Sequence, residues 1–253
     1  MFSHPCTIAA ALFTAGMLAY APAHAGHGKA SASLSNIQFE LIDLDLTDNI
    51  TPSITFSRKS ASESVLIRSG SDNAQGSSSG FKSISRSVPD ATVSAGATPT
   101  SLQVGAQADV VEANLNATAT ASQTMSFVLS PSTRLSFSAQ ADTVLENEGI
   151  MLAWSSATLG ASMDMLINGV FGNETVSMTL RNTKGERSRF LFGSVDTGAS
   201  IGRGSLTAST TARFINALSM APLASPVPEP ASYAMLAAGL LVIGAARGKA
   251  RKA

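Results

Sequence analysis

In the nine residues "TRLSFSAQA", Thr133 to Ala141, polar and apolar side chains alternate from Arg134 onward. Leu135, Phe137, Ala139 and Ala141 fall on one face; Arg134, Ser136, Ser138 and Gln140 fall on the other. A period of two residues is that of a β-strand with one face buried, since successive side chains leave an extended backbone in opposite directions. A helix would scatter the same four apolar residues around its circumference.

The same reading extends along the chain. "ETVSMTL" places Val176, Met178 and Leu180 inward, and "GIMLAW" offers Ile150, Leu152 and Trp154 as an inward set, with Trp154 as core. "NIQFELIDLDL" puts Ile37, Phe39 and Leu41 on one face and Ile42, Leu44 and Leu46 on the other, which predicts a strand partly covered on both sides. Strand-sized runs fall at 33–46, 53–57, 64–68, 101–111, 116–129, 133–145, 149–156, 174–182, 187–195 and 204–215. "DNITP", "SGSDNAQGSSSG", "VSAGATPT", "LSPST" and "ENEG" supply turn signals, and Lys184-Gly185 joins two strands. Asp72 to Gly80 reads as a Gly/Ser-rich loop or linker, and a short helix is expected near Ser162–Gly169. Many strands with short turns predict a mainly β body, an antiparallel β-sandwich with a jelly-roll arrangement as one form of it. The competing reading is a disordered Ser-rich chain, against which the repeated alternation stands.

Both ends differ from this body. Ile8 to Tyr20 is a mostly apolar run of 13 residues, short of a bilayer span and suited to the h-region of an export signal. Ala23 and Ala25 occupy the small positions of an A-x-A site, which places cleavage before Gly26. Residues 1–25 are therefore expected as a signal peptide. Its removal takes the one cysteine, Cys6, together with His4 and His24. His27 then lies at an expected frayed terminus.

The carboxyl-terminal end reads "VPEPASYAMLAAGLLVIGAARGKARKA". Ala231 to Ala246 carries no charge and predicts a single membrane helix of about 24 Å. Arg247, Lys249, Arg251 and Lys252 follow, and such cations stay on the cytoplasmic side. The body then lies outside the membrane. Pro228 and Pro230 force extended backbone ahead of the helix, the form a protease groove accepts. The plainer alternative is a proline hinge before an ordinary anchor that is never cut.

Pro228, Glu229 and Pro230, the apolar segment and the basic tip, taken in that order, resemble the PEP-CTERM sorting tail of Gram-negative bacteria. The resemblance covers Val227 to Lys252, within an expected tail at 225–253 that leaves 26–224 as the β domain. It implies recognition of Pro228, Glu229 and Pro230 by an exosortase, a membrane-embedded cysteine protease-transpeptidase. It also implies an anchored intermediate, then release to the cell surface or an exopolysaccharide and biofilm matrix.

Chemistry in the body is sparse. A formal charge of zero over the chain excludes the strong positive field of a nucleic-acid binder. Residues 26–228 hold 13 Lys/Arg against 16 Asp/Glu, a mildly acidic body of net −3. With His27 alone, neither a Ser-His-Asp site nor a zinc cluster is expected, and no cofactor is implied. Glu146 and Glu148 share a strand face and offer a pair of carboxylates for sugar hydrolysis, although "ENEG" fits a turn better. Asp43, Asp45 and Asp48, with Asn49, form the densest acidic cluster. They suggest calcium, but lack the glycine and closing acid of a calcium loop, and an Asx turn explains them equally. N-x-S/T triplets begin at Asn49, Asn116 and Asn173, and the Ser/Thr content offers sites for O-linked sugar.

The expectation is thus an exported, non-enzymatic surface or matrix protein, whose polar sheet face holds sugar polymers through many weak contacts. The second class is a secreted carboxylate hydrolase or carbohydrate-binding protein of the matrix.

Overall fold

Alternation leaves each sheet with one apolar face, and two such faces meet in this protein. The computed structural model describes residues 26–110, 115–147, 151–167 and 170–216. Among them the chain forms twelve strands: β1 (Gly26–Asp43), β2 (Ile54–Ser69), β3 (Asp72–Ser79), β4 (Ser83–Val88), β5 (Ala91–Thr98), β6 (Ser101–Val110), β7 (Asn116–Leu129), β8 (Thr133–Asn147), β9 (Met151–Ile167), β10 (Val170–Asn182), β11 (Gly185–Asp196) and β12 (Gly202–Asn216). One six-stranded sheet runs β11-β8-β1-β6-β5-β4 and the other β10-β9-β12-β7-β2-β3. Every pairing is antiparallel.

The sheets stack strand over strand. β8 lies over β9, β1 over β12, β6 over β7 and β5 over β2, with β11 over β10 at one side and β4 over β3 at the other. Short turns join the stacked edge strands directly, β3 to β4 and β10 to β11. Within β7–β12, β7 pairs with β12, β8 with β11 and β9 with β10. This nesting is that of a long hairpin rolled across both sheets.

One core fills the space between the sheets. Leu135, Phe137, Ala139 and Ala141 are all buried on β8, and Val176, Met178 and Leu180 turn inward on β10. On β7 the inward set runs Ala117, Ala119, Ala121, Gln123, Met125, Phe127, Leu129. Small residues at one end and large ones at the other grade the thickness of the filling, because close packing matches side-chain volume to the local gap between sheets.

Several expectations need correction. Asp72–Gly80 is not a loop: Asp72–Ser79 is the edge strand β3, paired to Ser62–Ser69. An edge strand needs hydrogen bonds on one side only, so polar, small residues suffice. A Cβ on Gly76 would stand 2.6 Å from Ile84 Cδ1, so a larger residue there would have to displace that side chain's end. The expected helix at Ser162–Gly169 is strand as far as Ile167, with Ala161, Met163 and Met165 buried; residues 168 and 169 lie outside the described set. β10 on one side and β12 on the other satisfy its backbone, which outweighs the helix propensity of Ala, Met and Leu.

The runs 53–57 and 64–68 belong to one strand, β2, interrupted by a register shift between Phe56 and Arg58. "VSAGATPT" is mostly strand β5, and the turn falls after Thr98. β1 starts at Gly26, so His27 is not frayed: it pairs with Asp109 across the sheet, Nδ1 to Oδ1 2.5 Å. Ile42, Leu44 and Leu46 are exposed, so the outer face of that segment is not covered. Leu152 and Trp154 also point outward, because the inward set of β9 is Ser155, Ala157, Leu159, Ala161 and Met163.

The turn at Lys184-Gly185 is present but joins two sheets rather than two paired strands. Gly185 takes φ 72°, a conformation that suits glycine. Asn182 is fully buried there: its Oδ1 accepts from Lys184 N–H (2.9 Å) and its Nδ2 donates to the Gly185 carbonyl (2.6 Å).

Candidate binding faces and the sorting segment

Because inward positions are taken by the core, the outer faces carry what is left for recognition. On β11, Leu191, Gly193 and Val195 turn inward, which sends Phe190 and Phe192 out, 62% and 57% exposed. Phe190 sits opposite Gln140 of β8 and Phe192 opposite Ser138. Beside them Gln140 Nε2 donates to Ser188 Oγ (2.6 Å), and the Ser188 hydroxyl donates to Asp142 Oδ1 (2.6 Å). A shallow recess of about 90 Å³ adjoins Phe192, with Gln38, Glu40, Ser136 and Ser138 on its walls. Two aromatic faces flanked by an amide, a hydroxyl and a carboxylate can take a ring that is apolar on one face and hydroxylated at its rim.

The outer face of the other sheet is a lattice of hydroxyls. One row crosses all six strands: Ser79, Ser62, Ser122, Ser209, Thr158 and Thr179 are successive register partners. Its members bond each other, Ser62 to Ser122 at 2.8 Å and Thr158 to Thr179 at 3.0 Å. The row above runs Ser77, Ser64, Thr120, Thr211 and Ser156, ending at Arg181. Neighbouring strands lie about 4.8 Å apart, so the face offers donors and acceptors at a fixed repeat. Trp154 lies on this face, half-buried, with the Arg213 guanidinium 4.9 Å over its ring. The expectation of a core tryptophan fails because the strand's register places even-numbered residues of β9 outward.

Arg134 and Asp196 form a two-pronged ion pair, Nε to Oδ1 2.7 Å and Nη2 to Oδ2 2.6 Å. The hydrogen bond to Asp196 and its charge raise the Arg134 pKa above the ordinary value, with a smaller push from Glu174. The acidic cluster resolves into local turns. Asp43 Oδ1 accepts from Asp45 N–H (3.0 Å), Asp45 Oδ1 from Thr47 N–H (3.0 Å) and the Thr47 hydroxyl (2.6 Å), and Asp48 Oδ1 from Ile50 N–H (2.7 Å). The Thr47 hydroxyl first, then its N–H, hold the Asp45 carboxyl below its usual range. Among the described residues no three His, Cys, Asp or Glu side chains are grouped to hold a metal ion. Glu146 sits opposite Lys29, and Glu148 lies outside the described residues.

The sequence pattern did not single out Phe190 and Phe192, since "RFLF" alone does not say which of its apolar residues faces solvent.

Ala23, Ala25, Pro228, Glu229, Pro230 and the basic tip Arg247, Lys249, Arg251 and Lys252 lie outside the described residues, while Gly26 opens β1. The family model of the PEP-CTERM protein-sorting motif matches residues 226–252. The chain carries a PEP-CTERM sorting motif. The match takes in Pro228, Glu229 and Pro230 and the whole basic tip. The PEP-CTERM motif implies export, a membrane-anchored intermediate and processing by an exosortase. Searches of curated proteins and of solved structures gave no match.

β1 begins at Gly26 opposite Val110, and β12 ends at Asn216 opposite Met151. Both positions lie at the end of the sandwich away from the β7–β8 turn. The start of β1 and the end of β12 therefore lie at the same end of the sandwich.

Proposed function

We propose that this PEP-CTERM protein is a non-enzymatic component of the cell surface or extracellular matrix, and that its sheet faces hold hydroxylated polymer, exopolysaccharide in the first instance. The observation that carries the binding half is the pair Phe190 and Phe192, exposed beside the Gln140–Ser188–Asp142 chain. An aromatic plane stacks on the C–H face of a sugar while the amide and carboxylate meet its hydroxyls. The hydroxyl rows of the opposite face add many weak, repeated contacts, the arrangement in which multivalency raises avidity. In this reading the tail holds the body at the membrane until an exosortase attacks a peptide bond near Pro228–Pro230 and releases it.

Affinity electrophoresis through gels containing exopolysaccharide tests the binding half. The native protein is retarded, and Phe190→Ala with Phe192→Ala runs free while keeping its circular dichroism. Equal mobility of the two proteins defeats this reading, and new reducing ends in the gel point to the carboxylate hydrolase instead. The sorting half is tested by replacing Pro228, Glu229 and Pro230 with alanine and following the tail by mass spectrometry. The variant retains residues 231–253; processing identical to the parent overturns recognition of the motif.

A further inference from the structure

We propose that β10 is a self-association edge, on which a second copy of this chain docks by antiparallel strand pairing. Among the described residues β10 closes its sheet and pairs with β9 alone, so the N–H and C=O groups of its far side are unused by any described strand. Such an edge is a template for another strand unless it is short, charged, kinked or covered. The other three edges are guarded. β4 has 6 residues and β3 has 8, and Arg86 of β4 donates through Nε to the Gln75 carbonyl of β3 at 3.2 Å. β11 carries Glu186, Arg187 and Arg189.

β10 is longer than these and carries fewer charges than β11. It runs 13 residues, contains no proline or lysine, and has Glu174 and Arg181 as its charges. Glu174 is already engaged with the Asp196 N–H at 3.1 Å. Arg187 reaches one β10 carbonyl, that of Arg181, at 3.5 Å and at the last turn of the strand. At the other end Val170 is 69% exposed and Phe171 is 84% exposed, the latter over a hollow of about 330 Å³ walled by Met165, Leu166 and Ile201.

The occupant is a second copy because the strand is complementary to itself. Val176 is its midpoint, and an antiparallel two-fold pairing centred there uses all 13 residues. On the outer face it sets Phe171 opposite Arg181, Asn173 opposite Thr179, and Thr175 opposite Ser177, each twice. A guanidinium over an aromatic face is attractive, two amide–hydroxyl and hydroxyl–hydroxyl pairs can bond, and no like charges meet. The two copies' six-stranded sheets then become one of twelve.

Light scattering and sedimentation of the full chain in detergent, with Cys6→Ser, test the proposal. The parent is a dimer that dissociates on dilution. Thr175→Lys with Ser177→Lys brings lysines opposite each other and raises the dissociation constant at least about tenfold, with an unchanged far-ultraviolet spectrum. In a separate variant, Val176→Cys gives a disulfide-linked dimer on oxidation and Gln75→Cys, on the opposite side, does not. A monomer at all concentrations, a dimer indifferent to the lysine pair, or cross-linking at 75 rather than 176 overturns the inference.

Discussion

Thr197 Oγ1 accepts the buried backbone N–H of Thr133 at 2.8 Å, across 64 residues of chain. Its own hydroxyl hydrogen lies within reach of the Ser130 carbonyl (2.7 Å) and the Thr133 carbonyl (3.0 Å). Thr197 is 4% exposed, and the side chain thereby pins the "LSPST" turn, where Ser132 takes φ 50°, to the loop after β11. Thr197→Val keeps the shape and leaves the Thr133 N–H without an acceptor. Urea unfolding is expected to show a loss of about 1–3 kcal/mol. A change indistinguishable from zero means that water reaches the N–H.

Glu63 is 1% exposed, and neither carboxylate oxygen has a hydrogen-bond partner among the described residues. Its register neighbours are Ala121 of β7 and Ser78 of β3. A buried polar group without partners costs more than an apolar one of like volume. Glu63→Met is therefore expected to stabilise the fold by about 1–3 kcal/mol, and Glu63→Gln much less, since the amide inherits the same missing partners. Calorimetry of both variants checks the order.

Gly204 lies where β12 presses between β7 and β9. A Cβ there would collide with the Ser162 carbonyl oxygen and with Phe127 Cζ, the latter at 2.7 Å. A backbone oxygen held in a ladder and a buried ring have little room to retreat. Gly204→Ala is expected to destabilise by about 1–3 kcal/mol, as overpacking does, while Ser205→Ala next to it is near neutral.

Asp45 supplies a pH test. The hydroxyl and N–H of Thr47 favour its charged form and lower its pKa in the folded state. A lowered carboxyl pKa contributes stability that is present above the unfolded value and is lost as pH falls through the folded one. Thr47→Val is expected to move the Asp45 carboxyl carbon titration upward, toward the ordinary range, in nuclear magnetic resonance. Added calcium belongs in the same experiment: a site built from Asp43, Asp45 and Asp48 requires all three signals to move together.

The sequence by itself determined the period, the fold class and the sorting motif. Thr133–Ala141 and Val176–Leu180 announce their buried faces because each alternates large apolar residues with polar ones, and that contrast is local. Pro228-Glu229-Pro230 with the apolar stretch and basic tip is likewise read from neighbours in the chain. Only the tertiary structure decided that Asp72–Ser79 is a strand, that Trp154 faces outward and that Phe190 and Phe192 stand exposed beside Gln140. Those outcomes rest on which distant strand supplies the hydrogen bonds and in what register, and a shift of one residue would turn every side chain to the other face.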